Sequence, residues 1–208
     1  MTHPFRLIVG LGNPGRKYAQ TRHNAGFWWI DRLGGVLSAT FRNESKFHAL
    51  VAAAGGGDMR LAKPQAYMNR SGLAVAALVR FYRIAPDEIL VAHDELDFKP
   101  GVVKLKQGGG SGGHNGLKDI VAELGSGDFW RLRLGIGHPR DGVLSEQEVA
   151  DYVLHPPHDD ERPLIDDAVA RALAVWPRLA CGETERAMHE LHTAAVPPSA
   201  AAKPPASL

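Results

Sequence analysis

Of the ten histidines in this chain, His23 lies in a loop that also carries Asn13, directly after the turn Gly10-Leu11-Gly12-Asn13-Pro14-Gly15. A second polar cluster, His93-Asp94-Glu95-Leu96-Asp97, closes the apolar run Ile89-Leu90-Val91-Ala92. An imidazole near neutrality can take a proton from water, and a carboxylate on its other nitrogen fixes the tautomer and stabilises the imidazolium. His23 with Asp94 could therefore hydrolyse an ester without a metal. Asn13, Asn69 and Asn115 could orient a substrate and stabilise developing negative charge without adding charge of their own.

Three other chemistries fit less well. Gly10, Gly12 and Gly15 match the GxGxxG spacing of dinucleotide-binding folds, but that fingerprint needs a helix starting at the glycines. Arg16 to Asn24 has no apolar period, so the helix starts about ten residues late. The turn instead presents Asn13, and the same loop returns His23. Gly109-Gly110-Ser111-Gly112-Gly113 matches GxSxG, yet Ser111 lies inside a glycine-rich loop several residues before its helix, unlike a strained nucleophile elbow. His93, His114, His138, His155 and His158 show no HExxH or cysteine-containing metal spacing, so neither a metal nor another cofactor is expected.

The elements that must position these residues alternate in type. Leu7-Ile8-Val9 reads as a buried strand, followed by a helix from about Ala25 that buries Phe27, Trp28, Ile30, Leu33 and Leu37. Phe47 to Ala53 and Met59 to Lys63 read as an antiparallel pair across a glycine turn. Pro64 closes the second of them, and a helix follows with Leu73, Ala74, Ala77, Leu78 and Phe81 on its apolar face; Asn69 and Ser71 are candidate caps. Further strands are expected at Ile89 to Ala92, Val102 to Lys106 and Arg131 to Ile136. The loop Gly108 to Gly116, with six glycines in nine residues, leads into a helix through Leu117, Ile120, Val121 and Leu124. About Asp160 to His192 reads as helical, broken at Pro177 and Gly182. This alternation predicts an α/β fold: one three-layer domain over residues 1–193 with a mixed, mostly parallel twisted sheet and helices on both faces. Ligands of such sheets sit at the carboxyl ends of the strands, where Asn13, Asn69, Asp94 and His114-Asn115 would converge. Residues 194–208, rich in Ala and Pro, are expected to be a disordered tail.

With 24 Lys/Arg against 23 Asp/Glu, the net charge of +1 excludes little, but the charges are unevenly placed. Lys99 to Arg140 holds seven Lys/Arg against three acids, whereas Asp141 to Ala170 holds nine acids and only Arg162. The basic segment suggests an anionic ligand. Cys181 is the only cysteine, which excludes an intrachain disulfide and points to a reducing compartment; it is expected to be a buried or half-buried structural thiol. Leu7 to Val9 is too short for a signal peptide and no run of eighteen apolar residues occurs, so a cytoplasmic protein away from membranes is expected.

Taken together, GLGNPG, Tyr18, TRHNAG, KPQAYMNRSG, HDELD, GGGSGGHNGLKDI and RLRLGIGHP, in this order and spacing, closely resemble bacterial peptidyl-tRNA hydrolase. The resemblance runs from about Leu7 to Pro139, with a weaker echo at Tyr152-Val153-Leu154. It implies hydrolysis of the ester joining a peptide to the 3′ ribose of tRNA. His23 matches the family's water-activating histidine and Asp94 its partner. Asn13, Asn69 and Asn115 match substrate-positioning asparagines, Met68 lines the peptide-side groove, and Tyr18 lies near the site; which amide serves the oxyanion is left open. Lys106 and Arg133 match a clamp for a tRNA phosphate, and Lys104 falls two residues away on the same strand face. Peptidyl-tRNA is thus the implied partner of a monomeric enzyme without an obligate protein partner. The alternative is an RNA-binding member of the same fold without catalysis, which would have no need for a base and its orienting carboxylate. The sequence departs from the family pattern at Pro156-Pro157, at His158-Asp159-Asp160-Glu161 and in the tail, which leaves the centre of the site untouched.

Overall fold

The computed structural model describes residues 4–141 and 148–194. The expected tail falls almost wholly outside them. Seven strands form one sheet in the order β2-β3-β4-β1-β5-β7-β6: β1 is Leu7–Gly10, β2 Arg42–Glu44, β3 Ala49–Ala54, β4 Met59–Pro64, β5 Ile89–Glu95, β6 Val103–Gln107 and β7 Trp130–Gly135. The central four, β4, β1, β5 and β7, run parallel, and antiparallel pairs flank them on both sides. Strands buried on both faces read as continuous apolar runs, which is why Leu7 to Val9 and Ile89 to Ala92 were legible as central strands.

Alternate residues of β1 divide the core. Ile8 joins the cluster formed with helices α1 (Ala25–Val36), α5 (Glu161–Ala174) and α6 (Trp176–Ala180), while Leu7 and Val9 join the cluster with α2 (Ser71–Tyr82) and α3 (Asn115–Leu124). The result is the expected three-layer α/β arrangement with helices on both faces. Two further helices, α4 (Val149–Val153) and α7 (Thr184–Thr193), lie on the first side, and α7 runs along β6. There the His192 ring meets the Leu105 backbone and covers an edge strand that would otherwise offer free ladder groups.

Helix α1 sits close enough to the sheet that the site loop is clamped at both ends. Leu11 N–H donates to Ala92 O, and Phe27 N–H donates to Leu11 O. A Cβ on Gly26 would come within 2.6 Å of Leu11 N and would also meet the Ala92 carbonyl, so only glycine permits this approach.

Several local expectations need correction. The first strand of the hairpin begins at Ala49, not Phe47, because His48 adopts a left-handed conformation (φ 51°) after a 3-10 turn. The edge strand β2 was not anticipated; Arg-Asn-Glu is too short and polar to show a period. Helix α1 buries Trp29 fully, leaving Trp28 and Leu37 half-buried. In α2, Val75 is in the core while Phe81 is 60% exposed and packs edge-on to Phe47. Neither Asn69 nor Ser71 caps α2, since Arg70 holds the cap position and the Ser71 hydroxyl donates to Met68 O. The C-terminal helices part at Val175, and Pro177 lies in the first turn of α6, where its missing N–H costs nothing. Gly182, at φ 82°, makes the second break. Cys181 is exposed, not buried, because it sits just past the end of α6 in that turn.

Candidate active site

Three loops meet at the carboxyl ends of β1 and β5. His23 occupies a 3-10 turn, Arg22–Asn24, that runs directly into α1. Its Nδ1 lies 3.0 Å from each carboxylate oxygen of Asp94, near the end of β5. The carboxylate also receives a second imidazole, His114 Nε2, at 3.0 Å. Hydrogen bonding assigns the tautomers. His114 caps α3 by accepting the N–H groups of Gly116 and Leu117 at Nδ1, so its proton is on Nε2 and points at Asp94. His23 donates from Nδ1, which leaves its Nε2 with a free lone pair.

Asp94 is buried, which by itself disfavours the charge; the two imidazoles outweigh burial through charge and hydrogen bonds and hold the carboxyl well below its ordinary range. Burial also opposes an imidazolium at His23, but the Asp94 charge and hydrogen bond win and raise the ring above its ordinary value. The pair is thus an ionised carboxylate behind a strengthened base. His93 is different. Its Nδ1 donates to the Asp94 carbonyl at 2.7 Å, its Nε2 is buried without a partner among the described residues, and burial, reinforced by the charges of His114 and Arg131, pushes it down to about 3.

The asparagines divide into two kinds. Asn13 is buried and locked: its N–H donates to Asn24 Oδ1 at 2.8 Å, its carbonyl accepts from Asn24 Nδ2 at 3.0 Å, and its Oδ1 accepts the Met68 N–H at 2.8 Å. It therefore ties the His23 loop to the turn Met68–Arg70, with its own Nδ2 left to donate. Met68 is buried beside it, and a Cβ on Gly116 would come within 2.7 Å of the Met68 sulfur and force that side chain to shift. Asn69, in the same turn, is exposed, and so is Asn115, the first residue of α3. Tyr18 is half-buried and meets the exposed Tyr67 edge-on, ring centroids 6.3 Å apart.

A cleft of about 250 Å³ gathers His23, Asp94, His114 and Asn115, with Ser111 and Gly112 of the glycine loop on one side and Val149, Ala150 and Val153 of α4 on the other. Asn13, Met68, Asn69, Tyr18 and Tyr67 are not among its walls, though the Met68 turn packs against α3, whose first residue Asn115 is. Among the described residues the Ser111 hydroxyl forms no hydrogen bond to a histidine ring; Ser111 meets His114 only through its carbonyl, which accepts the His114 N–H, and the glycine loop reaches α3 only at Asn115, so the elbow geometry is not met. His23, Asp94 and His114 bring one potential ligand atom each within 4.8 Å of one another. Both rings, however, turn a proton toward the carboxylate, and His114 cannot shift its proton to Nδ1 without opposing two backbone donors. The cluster is built for hydrogen bonding, and a cation would have to displace both protons.

Lys104 and Lys106 share one face of β6 as expected, and Arg133 and Arg131 of β7 join them on it. Lys104 pairs across from Arg133, and Lys106 across from Arg131. Their states differ. Lys106 is exposed, whereas Arg133 Nε donates to Glu95 at 2.9 Å and its guanidinium lies 4.3 Å from the Phe98 ring. Arg131 is buried and holds the glycine loop by donating to the carbonyls of Gly109, Gly110 and Gly127. Glu95, Ser111 and Gly112 separate a small cavity lined by Lys106, Arg131 and Arg133 from the His23 cleft. Sequence reasoning put His114 at the working end of the sheet and Asn24 in the site loop but gave neither a role, and gave none to Arg131 beyond its charge. The first two are immediate neighbours of Asn115 and His23, and adjacency to a selected residue was the available signal; Arg131 offered only its charge.

An α/β domain that sets an imidazole backed by a buried carboxylate at the ends of its central strands has the apparatus of a general-base hydrolase. The chain belongs to the peptidyl-tRNA hydrolase family, whose model matches residues 7–199. It is 55% identical over 195 residues to a peptidyl-tRNA hydrolase of Nitrosomonas europaea, covering 93% of this chain and 98% of that protein. Among solved structures it is similar to peptidyl-tRNA hydrolase from Acinetobacter baumannii at 47% identity and a TM-score of 0.86, over 93% of this chain and 97% of the other. A complex of peptidyl-tRNA hydrolase with N-propanol gives the same identity and TM-score, over 91% and 95%.

The depressed His93 makes folding sensitive to acid. Between pH 6.5 and about 3 the unfolded ring takes up a proton that the folded ring refuses, so stability falls as pH falls through this window. One such group contributes a slope of about 1.4 kcal/mol per pH unit. His93→Asn keeps the donor to the Asp94 carbonyl and removes the titration. Urea unfolding from pH 6 to 4 is therefore expected to lose stability less steeply in the variant, and parallel slopes would contradict the assignment.

Proposed function

We propose that this protein hydrolyses peptidyl-tRNA at the ester between the peptide and the 3′ ribose, with His23 as general base. The observation that carries the reading is the His23 Nδ1 contact to both oxygens of Asp94, which leaves Nε2 as the free base of a ring lining the cleft. In the proposed reaction Nε2 removes a proton from water as its oxygen attacks the ester carbonyl. Asp94 stabilises the imidazolium, and the tetrahedral oxyanion collapses. The C–O bond to the ribose breaks, and the 3′ oxygen takes the proton back from His23, returning the ring to its starting state. An ester is activated relative to an amide, so one positioned base with oriented amide dipoles is a sufficient apparatus.

Asn115, at the cleft wall, and the spare Nδ2 of Asn13 are the amides proposed to hold the substrate, with Asn69, Met68 and Tyr18 toward the peptide side. Backbone-directed contacts of this kind would accept many peptide sequences. Lys104, Lys106 and Arg133 are proposed to attract a tRNA phosphate. Lys106 is the freest of them, and Arg133 is oriented by Glu95 and Phe98. Among the described residues no helix is long and apolar enough to cross a membrane.

Release of an N-acylated aminoacyl group from tRNA tests the base. His23→Ala is expected to lower kcat about 10²- to 10⁴-fold, the usual contribution of a positioned acid-base group. Release by the variant at the wild-type rate would refute the mechanism, and release by neither protein with tRNA binding intact would leave only a binding role.

The clamp has its own signature. Lys106→Ala and Arg133→Ala should weaken tRNA binding and reduce the salt slope of log K by about 0.7 to 0.9 per lost phosphate contact. Turnover of a minimal ester substrate lacking the tRNA body should change far less. Equal losses on both substrates would remove these residues from phosphate binding.

A further inference from the structure

Arg22, the residue before His23, is a buried cation that the proposed chemistry does not use. It is 2% exposed, and both of its terminal nitrogens, though not its buried Nε, are engaged by the stretch from α4 to the start of α5. Nη1 donates to the carbonyls of Pro156 at 2.7 Å and of Tyr152 and His155 at 3.4 Å, while Nη2 pairs with Glu161 at 2.6 Å. The guanidinium also lies 4.0 Å from the centre of the Tyr152 ring, and the Arg22 backbone N–H donates to His155 O at 3.0 Å. Tyr152 in turn donates its hydroxyl to Ile136 O at 2.8 Å, just beyond β7.

This fan of acceptors suits a planar guanidinium and not an ammonium, which is a point charge without a fixed fork or a stacking face. Its position matters more than its strength. The helix so gripped, α4, provides Val149, Ala150 and Val153 as one wall of the cleft whose other members include His23 and Asp94. These parts of the chain also share apolar packing in the core, but two other polar ties between them, Arg162 to Gln20 and Arg32 to Asp166, are exposed, and pairs of that kind hold little.

We propose that Arg22 is a positioning residue for the hydrolytic reaction: one guanidinium anchors α4 against the cleft and the turn that presents His23, so that wall and base keep a single relative geometry. Glu161 is the anchor's counter-charge, fixed on its own side by accepting the His158 N–H at 3.0 Å. The proposal rests on the hydrolase reading above. It assigns a role to the Pro156-Pro157 and His158 to Glu161 stretch, which supplies one carbonyl and the carboxylate.

The test is steady-state release of an N-acylated aminoacyl group, from full-length tRNA and from a minimal CCA ester, by wild type, Arg22→Lys, Glu161→Ala and Glu161→Gln. Rates are expressed per folded enzyme, with folding followed by thermal melting. Misplacement of a base by about 1 Å costs up to about 10²-fold, so kcat should fall roughly 10- to 100-fold in Arg22→Lys and about 10-fold in Glu161→Ala on both substrates, with KM within about two-fold. Glu161→Gln should recover most of that loss, because its amide oxygen still accepts from Nη2. A lower melting temperature with unchanged kcat would make the anchor a structural brace and overturn the proposal. A raised KM at unchanged kcat would overturn it too, by reducing α4 to a substrate contact. If Arg22→Lys does not fold, the two Glu161 variants decide. An inactive wild type would sink the hydrolase reading itself, whereas an active wild type matched by every variant would sink only the positioning role of Arg22.

Discussion

Removing a carboxylate from water costs several kcal/mol even after the protein relaxes, and a cost of that size is met only by well-aligned charge-assisted hydrogen bonds. Asp94 is buried at the end of a central strand, and two imidazole N–H groups supply those bonds. The requirement reaches outward from there. His114 can donate only because its other nitrogen caps α3, and His23 can donate only because its turn is pinned between α1 and the sheet. The free nitrogen of His23 is thus defined by what its opposite nitrogen must do for Asp94.

The surrounding loops serve that constraint by fixing backbone with polar side chains. Asn24 binds both backbone groups of Asn13, and Asn13 then holds the Met68 turn, so the two ends of the His23 loop and a second turn share one chain of hydrogen bonds. Arg131 performs the same service for the glycine-rich loop, whose six glycines confer little rigidity of their own. Both cases turn a residue that could have faced substrate into one that sets the position of others. Loops carrying chemistry on a rigid scaffold need this kind of reinforcement, because their apolar contacts are few.

Much of this was legible in the sequence, and the reasons are physical. Central strands announce themselves as short apolar runs, and the polar residues that end them mark the working edge of an α/β sheet, so Asp94 and His23 could be selected before any contact was known. Lys104 and Lys106 could be put on one face from the strand period alone, whereas the register that sets Arg133 across from Lys104 on the same face comes only from the pairing of β6 with β7. What was not legible depends on tertiary partners. Adjacency to Asn115 marks where His114 lies but not its role, which only its ring at the start of α3 and against Asp94 gives, and Arg131 reads as surface charge until its carbonyl acceptors are known. Exposure failed for a similar reason at Phe81, which satisfies the helical period yet lies beyond the edge of the layer it was expected to face. The short polar strand β2 has no period to detect, since only its pairing with β3 defines it.

The assignment of opposite tautomers to two rings sharing one carboxylate is the claim on which the chemistry turns. Nitrogen-15 NMR of the imidazoles across a pH titration measures it directly. His23 should carry its proton on Nδ1 and His114 on Nε2 at neutral pH, with His23 taking up its second proton above pH 6.5, its ordinary value. A neutral His23 protonated on Nε2, or a His114 protonated on Nδ1, would contradict the arrangement and remove the free base from the cleft.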